Sequence, residues 1–150
     1  MSESGLEAPQ TARCAFCDYL SGARPFTVLA RGSLTALLVT REQRGVAHLL
    51  AIPTAHRPTL LDLADAELGA IMYALREGAR AIVASESPEG VAVWQNNGIA
   101  ADQAIPHFHF HVAGTPPGGG TERGDVPELT VAETDALADR LRRCTALDLK

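Results

Sequence analysis

From His107 to Ala113 the chain reads His-Phe-His-Phe-His-Val-Ala, with imidazoles and apolar side chains in alternation. On an extended strand successive side chains point to opposite faces, so a period of two sorts these residues into two sets. A strand over His107–Ala113 is therefore predicted, with His107, His109 and His111 on one side and Phe108, Phe110 and Val112 facing a core. Successive imidazoles then stand about 6.6–6.8 Å apart at the backbone. Neighbours can cooperate around one substrate or metal, whereas His107 and His111 are too far apart to share a close ligand easily. Burying three imidazoles without partners would cost on the order of several kcal/mol, which assigns the cluster to function rather than to packing.

The rest of the chain supplies a sheet for that strand. Candidate strands lie at Phe26–Arg31 and Leu34–Thr40, with a Gly32-Ser33 turn between them, and at His48–Ile52, which Pro53 ends. Val91–Gln95 reads as a further strand, and Asn96-Asn97-Gly98 as a turn before the triad. The best helix runs from Asp65, the expected N-cap, to Ser85, with Leu68, Ile71, Met72, Leu75, Ala79 and Ile82 at helical spacing. After the Gly/Pro-rich stretch Thr115–Gly124, the capping-box pattern Thr130-x-x-Glu133 opens a short amphipathic helix to about Arg143. Five strands with one long and one short helix predict an α+β fold with antiparallel pairing. The expected organisation is a flexible leader over 1–13, a domain over 14–114, and a loop and helical tail over 115–150.

Composition limits the function classes. A chain of 150 residues, 46% apolar and 21% charged, is an ordinary globular domain. Its formal charge of −5, with dispersed Lys and Arg, argues against a nucleic-acid-binding surface. No apolar run approaches the roughly 20 residues of a membrane span, and the opening MSESGLEAPQTAR lacks the pattern of a secretory signal. Three cysteines are an odd number, and Cys14-Ala-Phe-Cys17 reads as a metal or redox pair rather than a disulfide framework. A cytoplasmic location is the expectation. Cys144 reads as an ordinary free thiol, and His56 as a surface or helix-approach residue.

The triad segment resembles the signature of the histidine-triad (HIT) nucleotide hydrolases and transferases. The likeness extends through Asn96-Asn97-Gly98, Gln103, Pro106, His48-Leu-Leu-Ala-Ile-Pro53 and His56 to Cys14 and Cys17, about two-thirds of the chain. It implies an HIT-like fold, a five-stranded antiparallel sheet with the long helix packed on it, and a homodimer. It also implies that His109 attacks the α-phosphate of a nucleotide conjugate, such as a dinucleoside polyphosphate or a nucleoside phosphoramidate. A covalent nucleotidyl-histidine forms, and water or another acceptor then releases the monophosphate. His111 and His107 support the nucleophile, Asn96 and Gln103 lie around the scissile phosphate, and Thr40 takes the ribose-binding position eight residues before His48. A neutral imidazole near pH 7 suits this chemistry.

In several branches of the family a cysteine pair binds zinc, and the resemblance carries that site onto Cys14, Cys17, His48 and His107, a set of structural type. Three departures stand beside the matches. Thr40 replaces an Asp or Asn, Asp102 stands where a glycine is common, and Ala104 lacks the hydroxyl that would assist the leaving group. Two rival readings are a nucleotide-binding relative without activity and a metal-dependent hydrolase built on His-x-His. The second lacks a second histidine-rich segment, and Asp102 is the acidic residue nearest the triad.

Overall fold

The computed structural model describes residues 5–150. Five strands, β1 (Val28–Arg31), β2 (Thr35–Val39), β3 (Val46–Pro53), β4 (Val91–Trp94) and β5 (Phe110–Gly114), form one sheet. Their order is β1-β2-β3-β5-β4, and every neighbouring pair is antiparallel. Three helices complete the fold: α1 (Ala15–Ser21), α2 (Asp65–Glu86) and α3 (Val131–Cys144). The predicted sheet is thus present, with strand ends moved by at most three residues. α1 is the element that the sequence reading lacks. None of these helices is long and apolar enough to cross a membrane.

The sheet has a core on each face. On one, Leu37, Val39, Leu49, Ala51 and Val112 pack with Ala74, Leu75 and Ile82 of α2 and with Leu137, Ala138 and Leu141 of α3. On the other, Ala36, Leu38, Leu50 and Ile52 pack with Phe16 of α1. This follows from period two: consecutive residues of β2 and β3 feed opposite layers, and both strands are buried on both sides.

The predicted stripe of α2 is rotated. Its buried residues are Glu67, Ile71, Ala74, Leu75, Gly78, Ala81 and Ile82, while Leu68 and Met72 are 47% and 56% exposed. Gly78 sets the rotation. A Cβ there would meet methyl carbons of Leu37 and Leu49 at 3.3 and 3.4 Å, so the helix approaches the sheet along its small residues. The start also differs by one residue. Ala64 is the N-cap, and the Glu67 carboxylate accepts from its N–H at 2.7 Å while also pairing with Arg57 at 3.0 Å.

The tail follows the capping-box reading closely. The Thr130 hydroxyl accepts from Glu133 N–H at 3.1 Å, and the Glu133 carboxylate accepts from Thr130 N–H at 3.1 Å. Part of the expected leader, residues 1–4, lies outside the described residues. Within the remainder, the Glu7 carbonyl accepts from Ile99 N–H at 2.8 Å and Ala8 is buried.

Candidate functional site

The three triad imidazoles lie on the sheet face that carries α1. His111 sits in β5 opposite Leu50 of β3 and Trp94 of β4. His107 and His109 precede β5 instead of lying within it, a correction to the predicted strand start. Chain extension still delivers the expected sides, since Phe108 and Val112 are fully buried away from the triad. Each imidazole has a partner that fixes its tautomer, and among the described residues no buried side-chain nitrogen or oxygen lacks one.

At His109, Nδ1 meets the His107 carbonyl at 2.7 Å. A carbonyl only accepts, so Nδ1 carries the proton and Nε2 keeps its lone pair. Phe16 packs edge-on to this ring at 5.1 Å, and His111 does so at 4.9 Å. His107 donates from Nε2 to the Pro53 carbonyl at 2.8 Å, which leaves its Nδ1 lone pair directed at Cys14 Sγ, 3.3 Å away.

His48 begins a second chain of bonds. Its Nδ1 accepts from Arg44 N–H at 3.1 Å, so its Nε2 donates to His111 Nδ1 at 2.9 Å and the remaining His111 proton sits on Nε2. Trp94 covers His111 with parallel rings, 4.8 Å between centroids. Gln43 secures this end by accepting from His48 N–H at 2.8 Å and donating to the His48 and Thr40 carbonyls at 3.0 and 2.6 Å.

Burial keeps all four imidazoles neutral. It lowers His48 and His107 to about 4, His111 to about 2, and His109 below its ordinary value. A stability prediction follows from His48 and His111. Below about pH 6.5 the unfolded chain binds protons that the folded rings refuse, so stability falls as pH drops towards 4. The expected slope is up to about 1.4 kcal/mol per pH unit for each ring. Urea unfolding midpoints between pH 7.5 and 5 measure it, and a flat profile would contradict the neutral pair.

The thiols gather at the opposite end of the triad. Cys14, Cys17, His56 and His107 each offer one ligand atom, all within 4.8 Å of one another. Cys17 Sγ lies 3.4 Å from His56 Nδ1 and 3.6 Å from His107 Nδ1. Zinc bonds of about 2.3 Å to sulfur and 2.0–2.1 Å to nitrogen place tetrahedral ligands at comparable separations. Burial pushes the Cys17 thiol up to about 11, with the neighbouring Cys14 adding to the effect. A cation between the two sulfurs reverses that, so the donor set fits a metal.

The structure corrects the ligand expected at His48. β3 runs antiparallel to β5, so His48 falls beside His111, whereas Pro53 falls beside His107. The residue that reaches the thiols is therefore His56, just beyond Pro53. Its spacing to Pro53 was visible in the sequence, but the strand register that gives the spacing meaning was not.

Two hollows meet at the triad. One, of about 260 Å³, is walled by Phe16, Tyr19, Phe26, Leu50 and Ile105, with Thr40 and Glu42 at its polar side. The other, about 890 Å³, is a polar cleft bordered by Asn96, Asp102, Trp94 and the segment Thr121–Asp125. His109 and His111 line both.

The expected binding residues are thus near the triad, with different freedom. Asn96 opens onto the cleft. The Gln103 side chain is committed to its loop: it accepts from Gly98 N–H at 2.7 Å and donates to the Pro58 and Ile105 carbonyls at 2.7 and 2.9 Å. Asp102 adopts φ 63° and ψ 28°, a left-handed conformation that glycine takes without cost and Asp tolerates better than most residues. Trp94 and the aromatic wall of α1 were missed as site residues. Trp94 reads from the sequence as strand core, and nothing local distinguishes a ring that packs on a triad imidazole.

A family model described as the HIT domain matches residues 22–117. The chain belongs to the HIT family. Its HIT relatives include adenosine 5'-monophosphoramidase hnt1 of Schizosaccharomyces pombe, 31% identical over 103 residues, covering 69% of this chain and 74% of the relative. A Hit-like protein of Bartonella henselae involved in cell-cycle regulation shares the fold with a TM-score of 0.83 at 19% identity, over 93% of this chain and all of the other. A zinc-bound histidine triad family protein of Mycobacterium smegmatis aligns with a TM-score of 0.70 at 23% identity, over 87% and 94% of the two chains.

Proposed function

We propose that the chain is a nucleotide hydrolase that cleaves the α-phosphate linkage of a nucleotide conjugate through a nucleotidyl intermediate on His109. The observation that carries this reading is the placement of His109. Its Nδ1 proton is held by the His107 carbonyl, and the residue lines both an aromatic pocket and a polar cleft. The phosphoramidase activity in the name of the fission-yeast relative supports the same class of reaction.

The nucleoside occupies the pocket beside Phe16, Tyr19 and Thr40, and the leaving group occupies the cleft. The His109 Nε2 lone pair attacks phosphorus, the bond to the leaving group breaks, and the leaving atom departs with that electron pair and takes a proton from water. His109 retains its Nδ1 proton throughout, so the adduct is a cationic phosphorylated imidazole, which is a good leaving group. Water then attacks phosphorus from the cleft, releasing the monophosphate and regenerating neutral His109. His111 donates from Nε2 towards the phosphate, and His48 holds it in that tautomer. Asn96 adds a hydrogen bond at the cleft side, while Gln103 keeps the loop in shape.

Zinc at Cys14, Cys17, His56 and His107 completes the proposal. Four protein ligands leave no open position, so when bound it supplies structural cross-linking rather than an activated water. The open sheet edge at β4 supports a homodimer, and three unpaired cysteines support a reducing compartment such as the cytoplasm.

The test is release of nucleoside monophosphate from an adenosine-type phosphoramidate by the purified chain. Turnover at ordinary enzymatic rates, on the order of 1 s⁻¹ or faster, is expected. Tight nucleotide binding with no release would favour a binding protein that has kept the pocket and lost the chemistry.

A further inference from the structure

The HIT match ends at residue 117, yet the chain beyond it returns to the site. Its path is fixed by backbone bonds along the turn between β2 and β3. Glu122 N–H donates to the Arg44 carbonyl at 2.7 Å, and Leu129 N–H to the Arg41 carbonyl at 2.8 Å. Arg41 and Arg44 answer with their guanidinium groups. Arg41 donates to the Leu129 carbonyl at 2.6 Å, and Arg44 donates to the Glu122 and Gly124 carbonyls at 3.4 and 2.5 Å. Segment Thr121–Asp125 is thereby held as one wall of the cleft beside His109.

That wall adds to the negative charge of the cleft. Four carboxylates border it (Glu42, Asp102, Glu122 and Asp125), against the cations Arg44 and Arg123. Arg44 is already committed to two carbonyls and stands 3.8 Å from the Glu42 carboxylate. A chain of phosphates in this cleft would meet net negative charge, whereas an ammonium would meet complementary charge.

Resting on the hydrolase reading above, we propose that the leaving group is an aliphatic amine carrying a second, distal ammonium, and that Thr121–Asp125 is the wall that selects it. The scissile bond is then phosphorus–nitrogen. Nε2 of His109 forms its bond to phosphorus as the amine departs with the electron pair. The amine takes one proton from water, and water opens the adduct to the monophosphate. Nothing is oxidised or reduced.

The test uses two matched sets of nucleoside 5'-monophosphate derivatives whose aliphatic tails end in ammonium, methyl or carboxylate. One set is joined through cleavable P–N bonds, the other through inert P–O ester bonds for binding titrations. At about 20 mM salt the ammonium ester binds at least tenfold tighter than the carboxylate ester, with the methyl ester between. At about 0.5 M salt the range contracts, because the carboxylates are exposed and screened. The double variant Glu122→Lys/Asp125→Lys removes or reverses the order of the ammonium and carboxylate esters, each measured relative to the methyl ester on the same protein. A wild type that binds the carboxylate ester as well as the ammonium ester overturns the proposal. So does a variant that weakens all three equally, or absence of binding by any ester. Charge-ordered ester binding without cleavage of the P–N set would uphold the selectivity and remove the hydrolase reading; cleavage without charge order would do the reverse.

Discussion

Replacing His109 with alanine is expected to lower turnover by about 10⁴-fold or more, at least ~5.5 kcal/mol of transition-state stabilisation. The size follows from the proposed role, since a nucleophile forms the bond and nothing beside His109 can substitute. His107 has its Nε2 committed to the Pro53 carbonyl and its Nδ1 directed at the thiols, and His111 has its Nδ1 occupied by His48. His111→Ala is expected to reduce kcat by a smaller factor, about 10²–10³, the range for losing one donor to a developing charge. Neither substitution touches a proposed metal ligand, so metal content should be unchanged in both. Steady-state kinetics with metal analysis on the same preparations measures this. Near-normal turnover by His109→Ala would remove it from the reaction.

The second large effect concerns the metal. Protein purified without added metal is expected to carry about one zinc per chain. Cys14→Ser and His56→Ala should each lose it, whereas His48→Ala should keep it, which separates the two possible ligand sets. For a metal present at 1,000 times its Kd, binding contributes about 4.1 kcal/mol to stability. For a domain of this size each kcal/mol moves the midpoint by about 2–4 °C, so a fall on the order of 10 °C is expected. Loss should also reach the substrate. Cys14 caps α1, and Phe16 and Tyr19 of that helix wall the aromatic pocket, so KM should rise more than kcat falls. A metal-free wild type of unchanged stability would contradict this account.

The fold was legible where a local pattern has one physical outcome. The alternation at 107–113 fixed two faces, the capping box at Thr130 and Glu133 marked the start of α3, and the breaker at Pro53 marked the end of β3 to within one residue. What failed needed tertiary information. Leu68 and Met72 have helical spacing, yet the small residues of α2 face the sheet because the helix lies close against it. The resemblance put His48 among the ligands and left His56 at the surface, and only the antiparallel register of β3 against β5 shows that His56 is the one beside the thiols. α1 has seven residues, too few for a clear period, and it is held by contacts made at its ends and on Phe16. The segment Thr121–Asp125 reads as a polar loop, and its place in the cleft comes from bonds to Arg44 nearly eighty residues earlier.

On the proposed mechanism, phosphorus becomes bonded to Nε2 of His109 during turnover. Rapid mixing of the wild type with an α-phosphorus-labelled phosphoramidate, quenching without acid and peptide mapping by mass spectrometry tests it directly. One nucleotidyl group is expected on the peptide containing His109, stable in alkali, hydrolysed in acid and absent from His109→Ala. Full turnover with no adduct, or an adduct on another residue that persists in His109→Ala, would contradict it.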